Sequence, residues 1–229
     1  MKAADGSEPQ KRRAGERAAT AVEDGMVVGL GTGSTAAYAI RALGEAVADG
    51  LSITGIPTSY QSRALARSVG IELTTLETDL PDIAIDGADQ LRLRDGCCIK
   101  GGGGAHTREK IVDSAADRCL IVVDETKLAT TLDHPVAIEL LEAGWPTVQS
   151  SLEALGGSVT LREATRKDGP VISDNGNLIA DCTGLDDPAS LAERIGSLAG
   201  IVDHGIFVDI ADAVYVGTES DVTIHQVNK

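Results

Sequence analysis

Short apolar runs alternate with stretches of helical spacing along the first half of the chain, and that alternation restricts the fold more than any other feature. Met26-Val27-Val28-Gly29-Leu30, Leu51 to Ile56, Asp82 to Asp86 and Cys119 to Asp124 each read as a short buried strand. Helices are expected between them at 36–48, 59–69 and 106–116, after an opening helix at about 7–23. Strand and helix in regular alternation predict an α/β fold with a doubly wound, mostly parallel sheet.

The rhythm changes after residue 131. Strands are expected at 134–141, 158–163, 177–182 and 201–207, with helices at 145–155 and 188–198. This β-α-β-β-α-β order resembles a split βαβ module. We therefore expect a smaller α+β domain at 132–206, inserted into an α/β domain made of 1–131 and 207–229, with Val214-Tyr215-Val216 rejoining the main sheet.

Composition narrows the class. The chain has 229 residues, 42% of them hydrophobic, enough for a full core. No apolar run is long enough to span a bilayer, and the polar start lacks the apolar centre of a secretory signal, so a cytoplasmic location is expected. A net charge of −15 repels phosphodiester backbones and argues against general nucleic-acid binding. The cluster Lys11, Arg12 and Arg13 reads as a solvated helix face. Such acidity, with lysines this scarce, suggests adaptation to a salty cytoplasm. The four cysteines form no CxxC pair and the histidines are scattered, so no metal site is expected.

Glycine-rich turns carry the chemistry. Lys100 is followed by Gly101 to Gly104 and then by a helix bearing Thr107, Glu109 and Lys110 in its opening turns. Backbone N–H groups at such a junction can hold an anion or a developing negative oxygen. A carboxylate beside an oxyanion stabiliser suits proton abstraction next to a carbonyl, although a surface turn with a solvated Glu would read the same way. Gly31-Thr32-Gly33-Ser34-Thr35 links the first strand to its helix. It matches neither GxGxxG nor the P-loop, and its hydroxyls suit a single phosphate monoester or, alternatively, simple helix caps. Asp86-Gly87-Ala88-Asp89 leaves the C-terminal end of a strand, where α/β sheets keep ligands, but also reads as a common solvated turn. Lys127, in Asp124-Glu125-Thr126-Lys127, exits a strand at the same rim. His106 is assigned a local polar role.

Assembled, GLGTGSTA at 29–36, DGAD at 86–89, KGGGGAHTREKIV at 100–112, DETK at 124–127, SDNGN at 173–177 and DAVYVGT at 212–218 resemble the type A ribose-5-phosphate isomerase family in order and over almost the whole chain. The resemblance implies interconversion of ribose 5-phosphate and ribulose 5-phosphate without metal or organic cofactor, by a homodimer or homotetramer. It assigns Glu109 as the proton-shuttling carboxylate, with Asp86 and Lys100 beside it in catalysis. Thr32, Gly33, Ser34 and Thr35 become the substrate loop, Asp86, Gly87, Ala88, Asp89, Lys100, Gly101, Gly102 and Gly103 its other walls, and Lys127 the far rim. Asp86 is the first choice for ring opening, with Asp89 holding sugar hydroxyls.

Three departures stand out: Gln90 where the family often has Glu, Gly103-Gly104-Ala105-His106 where the loop often reads GGGAAL, and the stretch from Ala137 to Gln149. Related folds isomerise amino-sugar phosphates or transfer CoA, and the KGGGG…TRE stretch with DGAD argues against both. A sugar-phosphate sensor with a DNA-binding module would need more than residues 1–25 ahead of the first strand, and a basic face.

Overall fold

A computed structural model describes residues 6–227 of the chain. The termini of the expected α/β domain, 1–5 and 228–229, lie outside the described residues. In chain order the elements are α1 (Glu8–Ala19), β1 (Val27–Leu30), α2 (Ser34–Ala48), β2 (Thr54–Pro57), α3 (Tyr60–Ser68), β3 (Glu72–Leu73), β4 (Ile83–Gly87), β5 (Gln90–Leu91), β6 (Cys98–Ile99), α4 (His106–Ala115) and β7 (Arg118–Asp124). There follow β8 (Val136–Leu140), α5 (Trp145–Ala154), β9 (Ser158–Leu161), β10 (Leu178–Thr183), α6 (Pro188–Gly196), β11 (Ile201–His204), β12 (Ile206–Phe207), β13 (Ala213–Gly217) and β14 (Val222–Gln226).

The main sheet runs β14-β13-β7-β4-β1-β2-β3 and is parallel except at the β13–β14 edge. Its central strands are buried on both faces. Ile83, Ile85, Leu120 and Val122 pack with Ile40 and Leu43 of α2 on one side, while Ala84, Ile121, Val123, Val214 and Val216 share a core on the other. That double burial explains why the strands read as continuous apolar runs. The chain builds outward from β1 to β2 and β3, then returns to place β4 on the other side of β1. Loops leaving β1 and β4 therefore diverge, and the gap between them is where an open α/β sheet accepts a ligand.

A second sheet, β11-β8-β10-β9, is antiparallel throughout and has the split βαβ order read from the sequence. Val148 and Leu152 of α5 and Ile195 of α6 cover its face. The run expected as one strand at 201–207 is instead two. β11 stays with the second sheet, and β12 joins β6 and β5 in a small third sheet. The break falls at Gly205, which links the layers: its carbonyl accepts from Lys100 N–H at 2.8 Å and its own N–H donates to Ala137 at 2.7 Å. A side chain there would meet the Lys100 carbonyl at 2.1 Å, so the chain turns at a residue with none. The short β3 and the edge strand β14 carry too little apolar signal to be read in advance. Among the described residues, no helix is long and apolar enough to cross a membrane.

Candidate active site

A cavity of about 580 Å³ opens at the carboxyl ends of the parallel strands. Its walls include Thr32, Gly33, Ser34 and Thr35 after β1, Gly87, Ala88 and Asp89 after β4, Lys100 to Gly103 before α4, and Glu109 and Lys127. These stretches are far apart in sequence. The switch in strand order brings them together.

The first wall is built by hydrogen bonds between loops distant in the chain. Asp86 Oδ1 accepts from Thr32 N–H at 2.9 Å and from Gly87 N–H at 2.7 Å, tying the two loops across the switch point. Gly31 makes this possible, because a Cβ there would lie 2.3 Å from that same oxygen. Thr32 Oγ1 is fixed at 2.7 Å from both Thr58 and Ser59 hydroxyls. The helix expected from Ala36 starts two residues earlier, so Ser34 and Thr35 form the first turn of α2. The first intrahelical bond is from Ala37 N–H to the Gly33 carbonyl, so among the described residues the N–H groups of Ser34, Thr35 and Ala36 have no intrahelical partner and face the site as anion donors.

The second wall is a buried charge cluster. Lys100 is only 2% exposed, yet its ammonium lies 2.8 Å from Asp86 Oδ2 and donates to the Gly87 carbonyl at 2.6 Å. Glu109 Oε2 and Asp113 Oδ2 are each 3.8 Å from the same nitrogen, and the Phe207 ring centre is 5.1 Å away. Burial works against the Lys100 charge, but the carboxylates of Asp86, Glu109 and Asp113 hold its pKa well above the ordinary value. Glu109 moves the other way from a surface carboxylate: burial, then the Asp86 charge, raise it well above the usual range, with Lys100 opposing. Such a carboxyl retains a proton more firmly than a solvated one and is a stronger base once ionised.

Two readings from the sequence change here. DGAD is no solvated turn: Asp86 is fully buried, and it stands behind the cavity wall, facing Lys100 and two backbone N–H groups. Asp89 is the acid on the wall, and its carboxylate accepts from Gly102 N–H at 2.7 Å, pinning the glycine loop. The basic cluster near the N-terminus is not uniformly solvated either. Lys11 is 3% exposed, pairs with Glu8 at 2.9 Å and borders the cavity, whereas Arg12 stays exposed. Its only advance signal was the scarcity of lysine.

Three further residues escaped the sequence reading. Gln61 lines the cavity from α3. Arg162, just after β9, donates to the Gly101 carbonyl at 2.9 Å and is ion-paired with Asp181. Asp113 lies one helical turn past Glu109 and was indistinguishable from a helix-surface acid. His106 is fully buried beneath Gly101, and burial lowers its pKa to about 4, so the ring is neutral. Gln90 bonds the turn beyond β7: its side-chain carbonyl accepts from Asp133 and His134 N–H groups.

A ligand cleft at a strand switch point, an open helix N-terminus and a buried acid–ammonium cluster define an α/β protein equipped for proton transfer on a small anionic substrate. Sequence and structure comparisons give the family. The profile of the ribose 5-phosphate isomerase A (phosphoriboisomerase A) family matches residues 54–221. The chain is 61% identical to the ribose-5-phosphate isomerase A of Natronomonas pharaonis, over 98% of this chain and all of that one. The solved ribose 5-phosphate isomerase A of Methanocaldococcus jannaschii superposes with a TM-score of 0.93 at 42% identity, covering 96% of this chain and 100% of that chain. A D-ribose-5-phosphate isomerase solved in complex with phospho-erythronic acid gives 0.92 at 40% identity, covering 97% and 100%. The chain belongs to the ribose 5-phosphate isomerase A family.

Proposed function

We propose that this chain interconverts D-ribose 5-phosphate and D-ribulose 5-phosphate through a cis-enediolate, with Glu109 as the base. The observation that carries the reading is the position of Glu109: nearly buried at the cavity wall, 3.8 Å from Lys100, with an Oε2 that accepts no hydrogen bond among the described residues. A carboxylate so placed takes the proton from C2 and returns it to C1. Lys100 and the N–H groups of Gly101 and Gly103 stabilise the enediolate oxygens, while the Gly102 N–H stays on Asp89. The first turn of α2, with Ser34 and Thr35, receives the phosphate, and Lys11 and Lys127 supply charge beside it. Asp89, on the wall, handles the sugar hydroxyls and the ring oxygen, while Asp86 acts from behind by orienting Lys100.

The smaller domain at 132–206 supplies Arg162 and Val171 to the cavity in this reading. Assembly as a homodimer or homotetramer is supported by the exposed apolar side chains of Leu141, Ile172 and Val202, and sedimentation velocity tests it. The reaction itself is tested by ribulose 5-phosphate formation in molar KCl with EDTA, for the unmodified chain and Glu109→Gln. Turnover should resist EDTA and fall by about 10²–10⁴-fold in the variant. Full activity in Glu109→Gln removes the base from the proposal.

A further inference from the structure

Three buried carboxyls surround one ammonium, and the reaction as proposed uses only two of them. Asp113 is 2% exposed and stands one turn beyond Glu109 on the same face of α4, away from the cavity. It lies 3.8 Å from Lys100 Nζ, the separation of Glu109 from the same atom. Among the described residues, no N–H or hydroxyl donor reaches either Asp113 oxygen.

We infer that Asp113 is a positioning residue for the isomerisation: drawing on the same ammonium from one turn below, it keeps Lys100 from neutralising Glu109 alone and leaves Glu109 a stronger base. The inference rests on the reading of Glu109 as base and adds what tunes it. The charged and titratable groups facing the pair are Lys100, Asp86 from β4, Asp89 from the following loop, Cys98 from β6 and Cys119 from β7. Burial raises both thiols, so they stay neutral, and Lys100 is the one cation among these groups. Burial, then the Asp86 charge, also raises Asp113 well above the usual carboxylate range. Carboxyls that share a site this closely titrate as a set, and a like charge nearby increases the proton affinity of each.

Asp113→Asn keeps the shape and removes the charge. The acid limb of kcat/KM against pH should move down by about one unit. The plateau kcat should drop by up to about tenfold, and KM should hold, because Asp113 does not touch the substrate. An acid limb that stays in place or moves up overturns the inference. Should the variant fail to fold, carboxyl-carbon NMR of the unmodified chain decides: Glu109 and Asp113 titrating in shared steps supports it, and independent single steps overturn it. With Glu109→Gln inactive, a negative result falls on Asp113 alone; with Glu109→Gln active, the base reading goes first.

Discussion

Thr107 Oγ1 donates a 2.5 Å hydrogen bond to Glu139, joining the first turn of α4 to the middle of the antiparallel sheet two residues ahead of Glu109. Glu139 is fully buried and accepts in addition from Ser173, Asn175 and Asn177. The Ser173-Asp174-Asn175-Gly176-Asn177 turn is thus a cradle for one carboxylate. It also reaches the opposite wall, where Asp174 accepts from Tyr60 N–H at 2.7 Å.

Glu139→Gln should destabilise the fold by about 2–4 kcal/mol, because donors that converge on a buried charge would meet an amide. The drop in Tm, read by circular dichroism in molar KCl, measures it. Burial opposes the Glu139 charge, but hydrogen bonds from Thr107, Asn177, Ser173 and Asn175 prevail and hold its folded pKa below the ordinary value. Its contribution is therefore present above the unfolded pKa and disappears as pH falls through the folded one. The difference in Tm between the two proteins should narrow on the acid side. An equal difference at every pH would count against an ionised Glu139.

Asp89→Asn weakens the acceptor that pins Gly102. The glycine loop should loosen, with faster amide exchange at 101–104, and KM for ribose 5-phosphate should rise about tenfold through the lost charge-assisted bond. Unchanged exchange together with unchanged KM would show that the loop holds without it.

With a net charge of −15, the chain repels itself in dilute buffer. Its Tm should climb as KCl is raised to molar concentration, since screening removes that repulsion. A Tm indifferent to salt would remove the argument for adaptation to a salty interior.

Lys100→Met should cost about 10²–10³-fold in kcat through loss of the oxyanion partner. It also strands Asp86, Glu109 and Asp113 without their shared cation. Lys100→Arg should not restore activity, because a planar fork cannot replace a compact ammonium that meets Asp86 and the Gly87 carbonyl together. Recovery in Lys100→Arg would mean that charge alone suffices.

Much of this was legible in the residues themselves. Val27–Leu30, Ile83–Gly87 and Arg118–Asp124 fall on short apolar runs, and helices between them leave a parallel sheet as the way to bury both faces. Glycine runs beside Glu109 and the Asp86–Asp89 turn marked stretches that the fold brings to one cavity. Depth and direction were not legible. Nothing local distinguishes Asp86 behind the wall from Asp89 on it, or Lys11 in the cavity from Arg12 in solvent. Nor does sequence reveal that Arg162 reaches Gly101, or that Asp113 and Glu109 share Lys100. Local pattern determined which segments form strands and helices, because propensity and burial act within a few residues. Only the tertiary structure decided which charges are desolvated together, because that depends on neighbours supplied by strands distant in the chain.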